Sequence, residues 1–223
     1  MSDAQQLPLL PAQPHRNHTL FADHYLEEIL RREPLWPAAW PRAAALLAFL
    51  RDLYAREAAQ LSGYSEAQLE DHWIKPLLAH LGHVWETQAT VPGLAQGIKK
   101  PDYVFFADET ARQTAVADQR TGEYARHALA VGEVKAWPVN LSRRTANAPT
   151  FDNSNPMFQI DTYLRSTGVR WGIVSNGRHW RLVQRDSSHK LDVYFELDLL
   201  DALNAADETH ALAVATYFVL FFG

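Results

Sequence analysis

The chain has 223 residues, 47% of them hydrophobic, which is enough for one substantial core and too few for two full domains. It has no cysteine, which excludes disulfides, thiolate zinc sites and cysteine nucleophiles; any metal would be held by oxygen or imidazole, with Mg2+ or Mn2+ first in line. The net charge of -5 argues against a stand-alone nucleic-acid binder, and neither a membrane-length apolar run nor a signal-peptide start is present, so the expectation is a soluble cytoplasmic protein without a membrane partner.

The proline-rich residues 1–18 read as a flexible N-terminal arm, with order beginning at Thr19. Thr19 is a candidate cap for a first helix carrying Leu20, Tyr25, Leu26, Ile29 and Leu30, which ends near Glu33-Pro34. A second helix runs from about Pro37 to Leu61. After Gly63, Ser65 is placed to cap a third, whose apolar face is Leu69, Trp73, Ile74, Leu77, Leu78 and Leu81 and which Gly82 closes.

From there the pattern changes to strands: "HVWETQATV", "PDYVFFA" and "HALAVGEVKAW", with an inserted turn or hairpin between the last two. Residues 155–166 read as a helix, followed by "VRWGIVS", an Asn-Gly turn and "HWRLVQR", a strong hairpin signal. "LDVYFELD" is one more strand, and the chain is helical from Asp198 onward. This order predicts an α/β sandwich: a mixed central β-sheet flanked by helices, with extra helices at the amino end. The final "VATYFVLFFG" ends without a polar cap, and an exposed apolar terminus of that kind points to a fragment of a longer protein.

Charge supplies the functional signal. Glu133 and Lys135 lie two residues apart in an apolar strand, so both project to one face while Val134 faces the other. If the preceding strand is its neighbour, Asp102 meets Glu133 at one end. Two close carboxylates repel, and a divalent cation is the usual way such a pair stays ionised. A Mg2+ held by Asp102, Glu133 and the Val134 carbonyl, with Lys135 beside its water, suits phosphodiester cleavage. Further on, residues 160–190 hold six Lys and Arg against two Asp, a stretch able to face phosphate or simply to form a solvated surface.

"PD" at 101–102 followed by "EVK" at 133–135, each on a predicted strand, resembles the PD-(D/E)xK nuclease superfamily. The stretch "NPMFQIDTYLRSTGVRWGIVSNGRHWRLVQR", with Gln159 and Tyr163 one helical turn apart, is similar to the continuation in its restriction-enzyme members. The resemblance covers about residues 17–200. It implies a nuclease domain at 19–223 with a catalytic core at 63–200, a restriction-endonuclease-like fold, and Gln159 at the active site. It also implies that an acid of the helix in "YSEAQLEDHWIKPLLAHLGHVWE" reaches the metal; Glu66 is the choice, with Glu70 read as solvated.

"NHTLFADHYLEEIL" is similar to the amino-terminal part of Type IIG restriction-modification enzymes. That implies double-stranded DNA as substrate, methyltransferase and target-recognition domains in the same chain, and S-adenosylmethionine only in that methyltransferase. Transient dimerisation would serve two cuts on a duplex. Lys99, Lys100, Tyr163 and Arg165 are the candidate DNA contacts. The competing readings are a catalytically inactive nucleic-acid-binding or assembly module and a small-molecule metal hydrolase. His80, His83 and Glu86 lack the spacing of a zinc motif, and Trp171, Trp180, Tyr194 and Phe195 read as hairpin core rather than base-stacking platforms.

Overall fold

The structure is a computed structural model that describes residues 13–88, 100–142 and 155–223. Its centre is a seven-stranded mixed sheet in the order β1-β7-β6-β5-β4-β3-β2: β1 (Arg16–His18), β2 (Val84–Thr87), β3 (Tyr103–Phe106), β4 (Ala128–Val134), β5 (Trp171–Ser175), β6 (His179–Gln184) and β7 (Tyr194–Asp198). Only β4 and β5 pair in parallel; every other neighbouring pair is antiparallel. The parallel step follows from α5 (Pro156–Thr167), which carries the chain across one face between them.

Strand alternation sends side chains to two cores. On one side Tyr103, Phe105, Val134, Ile173, Trp180 and Phe195 pack under α1 (Leu35–Glu57), α2 (Glu66–Leu69), α3 (Lys75–Leu81), α6 (Leu199–Asn204) and α7 (Glu208–Phe222). On the other, Val104, Phe106, Val131, Val174 and Val183 meet Ile160, Tyr163 and Leu164 of α5 and Ala115 of α4 (Glu109–Ala117). The aromatic hairpin residues are core, as their pattern suggested: Trp180 packs edge-on against Phe218 at a centroid distance of 5.2 Å.

Local signals placed several elements well. Ser65 forms a full capping box with Gln68, Asn155 caps α5, and Gly82 and Gly168 end helices at left-handed φ. At the hairpin, Gly177 (φ +85°) lets its carbonyl accept from the indole nitrogens of Trp73 (2.9 Å) and Trp180 (3.2 Å).

Four expectations are corrected. Order does not start at Thr19, because Arg16–His18 already pairs with β7; an edge strand this short carries too little pattern to see in sequence. Residues 1–12 of the expected arm lie outside the described residues. Thr19 is no helix cap: it sits at φ 59° bridged to Tyr194, and a π-helical turn (Tyr25–Ile29) runs into a 3-10 turn (Leu30–Arg32) after Asn17 has bonded Phe21. The interval between β3 and β4 is not a hairpin but α4, capped by the Asp108 carboxylate on the Ala111 amide at 2.8 Å. The apolar run in α7 is not exposed: Tyr217, Phe218, Val219 and Phe222 are buried, so its hydrophobicity is that of a core helix. Among the described residues no helix is long and apolar enough to cross a membrane.

Candidate active site

The β3–β4 register pairs Tyr103 with Gly132, so one residue further on Asp102 faces Glu133. A hydrogen bond fixes that arrangement: the Val134 amide donates to Asp102 Oδ2 at 2.8 Å. The expected meeting of Asp102 with the Glu133-Val134-Lys135 strand end is therefore present, with Val134 contributing main chain at the site. Lys135 lies just past β4, its amide donating to the Ser175 carbonyl of β5 at 2.8 Å. Its ammonium pairs with Glu133 Oε1.

Both members of that pair are buried, Glu133 at 3% exposure and Lys135 at 9%. Burial first, and the nearby Asp102 charge second, push the Glu133 carboxyl up to about 7, against the pull of Lys135 and Tyr163. For Lys135 burial opposes the charge, but Glu133, Glu66 and Asp102 outweigh it and hold the amine above its ordinary value. The lysine is thus a fixed cation at neutral pH.

Two buried groups here lack protein partners among the described residues: Glu133 Oε2, and both amide atoms of Gln159. Gln159 sits on α5 at 4% exposure. Burying such atoms without hydrogen bonds costs free energy, so they mark a place where a ligand has work to do. Tyr163, one helical turn along, is 1% exposed, and its hydroxyl lies against the Lys100 carbonyl (3.2 Å) and Glu133. That placement corrects its reading as a DNA contact: its ring is core and its hydroxyl serves the site from inside. Arg165 stands at the surface, bonded to Asp161 at 2.9 Å, and Lys100 is exposed at the entry to β3. Lys99 lies outside the described residues.

The acid from the leading helix also differs from expectation. Glu70, read as solvated, is half-buried; its Oε2 accepts from the Tyr103 hydroxyl at 2.8 Å. Burial, together with the Asp102 charge, raises its carboxyl despite that bond. Glu66 is exposed and acts on Lys135 only through its field. It sits one turn, about 6 Å, nearer the helix start. A π-helical turn (Glu70–Ile74) separates α2 from α3, a feature that regular i,i+4 spacing does not reveal.

No three or more His, Asp or Glu side chains assemble into a metal-holding group among the described residues. The expected set of Asp102, Glu133 and Glu66 is thus not brought together as three side chains. What is present, two carboxylates next to main chain, fits Mg2+, which keeps most of its water and takes one or two protein carboxylates. The orphaned Glu133 Oε2 is a donor of the right type. His80 stacks on Phe49, and His83 bonds the Phe222 carbonyl at 2.6 Å, so neither belongs to the site. Compared with models of protein families, with curated proteins and with solved structures, the chain matches none.

Proposed function

We propose that this chain is a Mg2+-dependent DNA endonuclease domain with the PD-(D/E)xK fold. The observation that carries the reading is the bond from the Val134 amide to Asp102, which sets that carboxylate beside Glu133, whose second oxygen lacks a partner among the described residues, with the Lys135 cation on the same face. Asp102 and Glu133 would hold the ion, with Val134 main chain alongside. When bound, Mg2+ polarises the phosphate and acidifies water.

The chain's own residues supply the rest. Lys135, kept protonated by Glu133, Glu66 and Asp102, neutralises phosphate charge and orients a nucleophile rather than taking its proton. Gln159, whose amide has no partner among the described residues, would offer it to substrate or water. Tyr163 donates its hydroxyl to the Lys100 carbonyl near Glu133 and so holds α5 against the chain entering β3. Glu70, through Tyr103, adds negative charge near Asp102 and strengthens cation binding.

The sequence likeness to Type IIG enzymes supports placing this domain in a cytoplasmic restriction-modification protein. Target recognition and the S-adenosylmethionine-dependent methyltransferase would lie elsewhere in that chain, and the domain would pair transiently on DNA. The test is plasmid cleavage with Mg2+ by the full-length protein and its Asp102→Ala and Lys135→Ala variants. Both substitutions should abolish cutting. Unchanged cutting by either removes the mechanism, and a parent that binds DNA without cutting points to the binding-module reading.

A further inference from the structure

A polar cleft of about 590 Å³ lies beside the candidate site and plays no part in the chemistry above. Successive strand partners explain its position. Glu133, Val174, Arg181, Glu196 and Arg16 are paired in turn across β4, β5, β6, β7 and β1, so their side chains occupy one row on the face that carries α5. The cleft opens over the Arg181 end of that row, under the segment 137–142 that directly follows Lys135.

Arg181 is the unusual member. It is 5% exposed; Nε donates to Glu196 Oε2 and Nη2 to the Ser142 hydroxyl, both at 2.7 Å, and the guanidinium carbon lies 4.1 Å from the Tyr194 ring centroid. Its Nη1 is buried with no partner among the described residues. The other oxygen of Glu196 accepts from Arg16 at 3.1 Å. His179, whose Nδ1 also lacks a hydrogen-bond partner among the described residues, has its pKa lowered by burial against the pull of Glu196 and Asp198. Arg178 lines the cleft while its guanidinium holds Asp198 at 2.7 Å. Three guanidinium groups thus stand against two carboxylates, an excess of one positive charge, with one buried donor left without a partner among the described residues. That is the complement of a phosphodiester monoanion, which an arginine fork recognises by geometry as well as charge.

We infer that Arg181 anchors a second phosphate site, which takes a backbone phosphate of the DNA whose scissile phosphate lies at Asp102 and Glu133. Two strand spacings separate Glu133 from Arg181, about 10 Å between Cα atoms, so both sites fit one duplex. The choice of DNA rests on the nuclease reading; the oxyanion chemistry does not.

The experiment has two arms, which separate free phosphate from DNA. In the first, inorganic phosphate should raise the melting temperature of the chain more than chloride at equal ionic strength, and Arg181→Lys, which still leaves Glu196 a cation, should lose that difference. In the second, duplex binding is measured on an Asp102→Asn background so that nothing is cut. Arg181→Lys should weaken it about tenfold and reduce the salt slope by about 1.

If Arg181→Lys fails to fold by circular dichroism, Arg16→Gln, whose side chain is 59% exposed, repeats both arms with the buried pair intact and should shift both readouts in the same direction. An equal phosphate effect in parent and variant, or an unchanged salt slope, overturns the site. A parent that cuts DNA while either of those results holds loses the second site and keeps the nuclease. A parent that never cuts, yet binds phosphate through Arg181, keeps the site and loses the nuclease.

Discussion

Gly172→Ala tests how closely α5, which carries Gln159 and Tyr163, must sit on β5. A Cβ at position 172 would lie 2.6 Å from Ile160 Cγ1 and 3.2 Å from both Ile160 Cδ1 and Leu164 Cδ1. Carbon atoms rest about 3.5–4.0 Å apart, so Ile160 or the helix must retreat by about 1 Å. Ile160 is fully buried, and a β-branched side chain in a helix has essentially one rotamer, so the backbone of α5 takes up the displacement. Overpacking of this kind costs about 1–3 kcal/mol. At about 2–4 °C per kcal/mol for a chain of this size, the melting temperature should fall by about 2–12 °C.

Cleavage should fall further than stability alone explains, because Gln159 precedes the displaced residue. The decisive assay is a double-mutant cycle by chemical denaturation. Ile160→Ala alone leaves a cavity costing about 2–5 kcal/mol. Combined with Gly172→Ala, the new methyl partly fills that cavity, and the pair should be less destabilised than the sum by at least about 1 kcal/mol. Neutrality of Gly172→Ala together with additivity in the double variant would refute the close docking of α5 on β5.

Asn176→Ala removes amide bonds to the Trp137 (3.2 Å) and Val139 (2.9 Å) carbonyls and an acceptor for the His179 amide (2.7 Å); it should cost about 1–3 kcal/mol by urea denaturation and reduce cleavage by loosening the segment that follows Lys135. Mg2+ at ten times its dissociation constant should stabilise the chain by about 1.4 kcal/mol, a rise of about 3–6 °C. That rise should vanish in EDTA and in Asp102→Asn; its persistence in the variant would move the ion elsewhere. His15, wedged between the Phe195 and Tyr217 rings, has its pKa lowered to about 4 by burial and by Arg31. For a base, a folded value below the unfolded 6.5 means full stability above about 6.5, lost as pH falls toward 4. The loss should reach about 2 kcal/mol and disappear in His15→Phe, as read from denaturation midpoints across that range.

Residues 65, 82 and 177 show what a few neighbouring residues can encode. A serine followed three places later by glutamine, a glycine after an apolar helix face, and an Asn-Gly between apolar strands act through local hydrogen bonds and allowed backbone angles, so they read the same before folding and after. The site is mixed in this respect. Glu133 and Lys135 share a face by strand period alone. Which helix acid approaches Asp102 depended on packing against Tyr103, and regular helical spacing offered Glu66 and Glu70 equally.

By itself, then, the sequence determined the α/β class, the strand and helix segments that carry strong periodicity, and the composition of the acid-lysine motif, because each is set by interactions spanning only a few residues. Tertiary structure alone decided that Asp102 faces Glu133, that Arg16–His18 completes the sheet edge, that Tyr163 is interior, and that Arg181 and Glu196 share a row with the site. Those outcomes depend on strand register across separations of tens of residues, where the burial of whole faces rather than any local preference selects the pairing.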